Sequence, residues 1–116
     1  MEKGTNIPEE TFFYIKSEHH LIKVELDKLL YIECVKDYLK LYIQDQRPIM
    51  TLMSMKTLEE HLPQPKFMRI HRSYIVQTCM IESINKGSVN IGGNNIPISA
   101  GYRNRFFSYI DKHTII

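Results

Sequence analysis

The chain has 116 residues, 43% hydrophobic and 24% charged, with a net charge of +2; this is one globular domain able to bury its own core, and disordered, collagen-like and membrane classes are excluded. No apolar run approaches a bilayer span, and Met1 to Glu10 lacks the apolar stretch of a secretory signal. Residues 1–63 carry eight Lys and Arg against eleven Asp and Glu, and residues 64–116 seven against two, so the balance moves from −3 to +5 and points to a polyanionic partner for the second half.

In chain order, residues 1–10 read as a leader or linker end, 11–113 as the domain and 114–116 as a tail. Phe12 to Ser17 and Leu21 to Glu25 are short, aromatic and branched, and predict a hairpin around Glu18-His19-His20. Leu29 to Val35 and Tyr38 to Gln44 repeat the pattern across a tight Lys36-Asp37 connection; Leu39, Leu41 and Ile43 alternate with Lys40, Tyr42 and Gln44 as in a half-buried strand. Asp45 to Pro48 is a turn, and Ile49 to Met53 a further strand. Ser54 predicts the cap of a short helix, Met55 to Leu62, with Met55, Leu58 and Leu62 on one face and Pro63 and Pro65 ending it.

Phe67 to Val76 is the stretch in which chemistry concentrates. Apolar Phe67, Ile70, Tyr74, Ile75 and Val76 anchor it, leaving Arg69, His71, Arg72 and Ser73 available as donors of the kind that reach phosphate oxygens and guanine edges. The same segment also fits a strand-to-loop junction whose basic residues are merely solvated. Beyond it, Met80 to Ile84 and Val89 to Ile91 predict short strands. Gly92 to Asn95 is a turn leading into Ile96-Pro97-Ile98. Ser99 then predicts the cap of a final helix, with Tyr102, Phe106, Tyr109 and Ile110 on its packed face and Arg103 and Arg105 off it.

Taken together, Ile32-Glu33-Cys34, Tyr38-Leu39-Lys40, Arg69 to Val76, Ile81, Ile84 and Ile96-Pro97-Ile98-Ser99 with Tyr102 resemble the LytTR DNA-binding domain of bacterial response regulators, from about Phe12 to Ile110. The resemblance implies a mainly β fold, an elongated arrangement of small antiparallel sheets with two short helices, that reads DNA from loops. It further implies a cytoplasmic transcriptional regulator that binds imperfect direct repeats of double-stranded DNA, as the output domain behind an upstream receiver. Carried over by position, its DNA-facing sites fall at Lys36, Asp37 and Tyr38, at His71 and Arg72, and at Ser99 to Arg103. Base contact is expected from His71 and Arg72, with Ser73 beside them, and phosphate contact from Lys36, Lys40, Arg69, Arg103 and Arg105. Tyr38 fits either stacking on DNA or packing. Gln77 departs from the family's frequent Asn, and Ala100 and Gly101 stand where a basic residue is common.

Other chemistries find less support. His19, His20, His61, His71 and His113 lack metal-ligand spacing, so no metal or other cofactor is expected, and no phosphate loop or nucleophile elbow indicates an enzyme. Cys34 and Cys79 sit in apolar stretches without CxxC spacing and are expected to be reduced and packed. No heptad offers a dimer seam, so the expectation is a monomer that pairs on DNA and has no membrane partner. The competing class is a β-rich protein–protein interaction module with Phe12, Phe13 and Tyr14 as its exposed edge; a steep salt dependence of DNA binding separates the two.

Overall fold

Alternating apolar residues build hairpins first, and hairpins make up most of residues 11–116, the part that the computed structural model describes; the leader expected at 1–10 lies outside it. β1 (Phe12–Ser17) and β2 (His20–Glu25) pair in antiparallel register from Phe12↔Glu25 to Ser17↔His20. A 3-10 turn, Leu26–Lys28, leads into β3 (Leu29–Val35), which returns through Lys36-Asp37 as β4 (Tyr38–Ile43). β5 (Ile49–Leu52) precedes α1 (Met55–Glu60), where Ser54 caps as expected by accepting the Thr57 amide at 3.1 Å. The chain continues through β6 (Phe67–His71), β7 (Tyr74–Gln77), β8 (Ser83–Ile84), β9 (Ser88–Ile91) and β10 (Asn94–Pro97) to α2 (Ala100–Asp111).

Three antiparallel sheets result: the β1-β2 hairpin, a central sheet in the order β5-β4-β3-β7-β6, and a small sheet in the order β10-β9-β8. Apolar residues pack against both faces of the central sheet. On one face, Ile32, Leu39, Leu41, Phe67 and Ile75 pack with Ile15 and Val24 of the hairpin and Met55 and Leu58 of α1. On the other, Tyr31, Met68, Ile70 and Val76 pack with Val89, Ile91 and Ile96 of the small sheet and with Phe106 of α2. Phe106 is fully buried, a burial that stabilises the α2 docking by about 2–3 kcal/mol. The molecule is a slab of 45 × 43 × 26 Å, long in two directions and thin in the third.

The differences from the sequence expectations are local and physical. Phe67 to Val76 is two strands joined by a turn at Arg72-Ser73. Of the strand expected at 80–84 only Ser83–Ile84 forms a ladder with β9: Thr78–Met80 closes a 3-10 turn, and Glu82 reaches β9 through one bond, its amide to the Asn90 carbonyl at 2.8 Å. Asn94 and Asn95 belong to β10: Gly92 and Gly93, at φ 56° and 86°, complete the hairpin turn in two residues. Ser99 stands at the helix cap position, but its hydroxyl makes no capping bond. Phe12 and Phe13 are half-buried, leaving Tyr14 as the exposed member of that trio. Both cysteines are free; Cys34 is half-buried, but Cys79 is exposed on the 3-10 turn that follows β7, so it is not the packed thiol expected.

Candidate nucleic-acid interface

Strand pairing brings distant loops to one end of the central sheet. β3 and β7 are antiparallel neighbours, with Glu33 opposite Tyr74, so the Lys36-Asp37 turn that ends β3 lies beside the Arg72-Ser73 turn that begins β7. The Cys34 amide donates to the Ser73 carbonyl at 2.8 Å and ties the two turns together. The third loop is tied in likewise: the Ser99 amide donates to the Ile70 carbonyl at 2.9 Å, which seats the start of α2 against the end of β6. The three segments singled out in the sequence therefore converge through backbone bonds.

Within the second turn, the side chains have distinct jobs. A bulge at Ile70 shifts the register between Arg69↔Ile75 and His71↔Tyr74 and re-aims the residues of the turn. The Ser73 amide donates to His71 Nδ1 at 3.0 Å, so in the neutral ring the proton sits on Nε2, which is then the ring's donor. The His71 ring also stands edge-on to Tyr74, with centroids 5.5 Å apart. Arg72 is exposed at the turn, and Ser73 is half-buried. Arg69 differs from the exposed anchor expected of it: its side chain is only 19% accessible, Nη1 donates to Glu59 Oε1 at 3.1 Å and Nη2 to the Arg72 carbonyl at 2.6 Å.

In the first turn, Lys36 is exposed and sits at φ 57°, a left-handed conformation unusual for lysine. Tyr38 is 45% exposed, next to its register partner Leu52, which is more exposed still. Lys40 is half-buried opposite Glu33, with its ammonium 5.2 Å from the Tyr42 ring centroid. Beneath these residues lies an aromatic cluster around one carboxylate: the Tyr42 hydroxyl donates to Glu33 Oε1 and the Tyr74 hydroxyl to Oε2, each at 2.9 Å, while Tyr31 stacks on Tyr42 at 4.3 Å. Burial, then Tyr42 and the Glu33 charge, push the Tyr31 hydroxyl up to about 12. Burial, then the bond to Glu33, do the same for Tyr74; burial and Glu33 also raise Tyr42.

On α2, Arg103 lies over the Phe107 ring and donates to the Lys86 carbonyl, while Arg105 donates to the Gln64 side chain. Arg105 thus reaches toward the start of β6, away from the turns, whereas Arg103 reaches the β8–β9 turn. That turn is an element the sequence did not single out: the Ile98 amide donates to the Gly87 carbonyl at 2.9 Å, which puts exposed Lys86 beside the loop entering α2. A lysine within Asn85-Lys86-Gly87-Ser88 was the available signal. Gln77, noted as a departure from the family, is 1% exposed and faces the interior, donating to the carbonyls of Leu26 at 3.0 Å and Leu29 at 2.6 Å.

A mainly β slab that gathers Lys, Arg, His and Tyr on loops at one sheet end has the form of a module that meets nucleic acid through its loops. No helix among the described residues is long and apolar enough to cross a membrane, and no three His, Cys, Asp or Glu among them form a metal-binding group. The model of the LytTr DNA-binding domain matches residues 19–111, and the chain belongs to that family. Among solved structures, the fold is similar to the LytTr DNA-binding domain of a putative methyl-accepting/DNA response regulator from Bacillus cereus, with a TM-score of 0.75 and 22% identity over 88% of this chain and 98% of that one. No curated protein matches the chain.

Proposed function

We propose that the loop end of the central sheet binds double-stranded DNA with sequence preference, and that the chain acts in transcriptional control as the output domain of a response regulator. The observation that carries this reading is the pair of backbone bonds, Cys34 to Ser73 and Ser99 to Ile70, that hold three polar loops in fixed relation. Two strand spacings separate the middles of the Lys36-Asp37 and Arg72-Ser73 hairpins, roughly 10 Å, comparable with a major groove about 12 Å wide. His71 Nε2 and the Arg72 guanidinium are the base-edge donors, because a donor pair matches guanine O6 and N7. Lys36, Lys40, Lys86 and Arg103 supply phosphate contact, Arg105 a flanking one, and Tyr38 offers an exposed ring to the backbone or a base.

The protein is a monomer that places two copies side by side on direct repeats, with a phosphorylatable receiver controlling their occupancy. Selection of bound fragments from random duplex DNA, followed by titration at several salt concentrations, tests this. Enrichment of a repeated motif and a steep fall of affinity with salt are expected, since phosphate neutralisation releases counterions. Sedimentation of the free protein should give a monomer at micromolar concentration. A second reading, protein–protein recognition, draws on Tyr14 and Leu21, 59% and 71% exposed on the β1-β2 hairpin; no motif enrichment together with salt-insensitive association would favour it.

A further inference from the structure

We infer that Glu59 and Arg69 form a positioning pair for the Arg72-Ser73 turn, so that this DNA-binding surface depends on an acidic residue that touches no DNA. The inference rests on the reading of that turn as a base-contacting element. Arg72-Ser73 contains none of the Gly, Asn, Asp or Pro residues that set a tight turn by themselves. Serine favours a turn only weakly, so contacts from outside the turn add to its hold. On one side, the Ser73 carbonyl accepts the Cys34 amide, and within the turn His71 Nδ1 accepts the Ser73 amide. On the other, Arg69 Nη2 is the one donor to the Arg72 carbonyl among the described residues, at 2.6 Å.

Arg69 can do this because its side chain leaves β6 on the face that α1 covers. Its register partner Ile75 lies in the core on that face, in the same cluster as Leu58 of α1. There Glu59 meets Nη1 at 3.1 Å, and the two side chains are 19% and 24% accessible. A guanidinium so far removed from water needs its counter-charge, and without it would swing toward solvent. The swing would release the Arg72 carbonyl and with it the direction of the Arg72 and His71 side chains. Arg69 Nε is buried without a hydrogen-bond partner among the described residues, so the pair does not satisfy the guanidinium fully. What the arrangement secures is the carbonyl contact.

The sign of one substitution separates positioning from plain electrostatics. Removing an acid from a protein that binds a polyanion strengthens binding if charge alone matters. Glu59→Gln should instead weaken binding roughly tenfold on a duplex that the wild type enriches from a random pool, as expected for a lost charge-assisted bond, and leave binding to a scrambled duplex unchanged or slightly tighter. Arg69→Lys keeps the charge but cannot fork between Glu59 and the Arg72 carbonyl, so it should show the same selective loss with an unchanged salt slope. In the DNA-free protein, amide hydrogen exchange at Ser73 and Cys34 should quicken in both variants while the Leu41 amide, in β4 of the central sheet, keeps its wild-type rate. Tighter binding of Glu59→Gln to both duplexes, a shallower salt slope for Arg69→Lys, or unchanged exchange at Ser73 would each overturn the proposal. Exchange is read without DNA, so it still decides on the pair if the wild type enriches no duplex and the DNA reading itself fails.

Discussion

Tyr74 and Glu33 are joined across β7 and β3, the tyrosine hydroxyl donating to the carboxylate Oε2 at 2.9 Å directly behind the turn that presents His71 and Arg72. Because the His71 ring rests edge-on against Tyr74, this bond links the aromatic cluster to a base-reading candidate. Tyr74→Phe removes the hydroxyl and keeps the ring. It should lower stability by about 1.5–3 kcal/mol, the range for a bond to a charged group, as read from the urea midpoint at constant slope.

The same cluster predicts an alkaline limit. Tyr31 and Tyr74 are pushed up from 10.0 to about 12 in the folded protein, chiefly by burial. Above about pH 10 the unfolded chain releases these protons and the folded chain holds them, so the unfolded state binds fewer protons and stability falls with rising pH. The contribution is complete below about pH 10 and is lost progressively up to about 12. Spectrophotometric titration should show part of the tyrosine absorbance change arriving late and together with unfolding. Removing the carboxylate through Glu33→Gln should bring the Tyr74 titration to lower pH.

Gln77 carries a separate structural load. Its amide satisfies the Leu26 and Leu29 carbonyls at the 3-10 turn between the first hairpin and β3, in a site 1% exposed. Gln77→Leu leaves both acceptors buried and unpaired, at an expected cost of about 2–4 kcal/mol. Thermal unfolding measures the loss. Per folded molecule, DNA binding should remain, since the residue faces away from the loops.

Much of this architecture was legible in local pattern. The alternation of Leu39, Leu41 and Ile43 with Lys40 and Tyr42 matches the two-faced burial of β4, and Ser54 caps α1 as its residue type implies. The turn at Arg72-Ser73 was not legible, because its stabilisers lie elsewhere: Glu59 ten residues before Arg69, and Cys34 on another strand. The same cause hid the placement of Arg69, since nothing in Met68-Arg69-Ile70 says that α1 covers that face. Asn94 and Asn95 were hidden differently, as turn-forming residues used in a strand once two glycines had closed the turn. Lys86 needed the Ile98 to Gly87 bond, which only the packed small sheet supplies.

The thiols provide an independent check on the placement of β3 and the 3-10 turn. Cys79 is exposed, whereas Cys34 is half-buried with its Sγ 3.5 Å from the Lys36 carbonyl. Reaction of the native protein with a thiol reagent should be biphasic, Cys79 first, and Cys79→Ser should abolish the fast phase. Bound DNA should slow Cys34 further, because it lies directly behind the Lys36-Asp37 turn.

Whether the Arg72-Ser73 turn reads bases is decided most directly by Arg72→Ala, titrated on an enriched and a scrambled duplex at several salt concentrations. Arg72 is exposed and the turn is held at the Arg72 and Ser73 carbonyls, so truncation should leave the fold intact by circular dichroism. A base-reading Arg72 requires a loss of about 1–3 kcal/mol on the enriched duplex, relaxed preference at one base position, and nearly unchanged binding to the scrambled one. Equal weakening on both duplexes, or on neither, would contradict it.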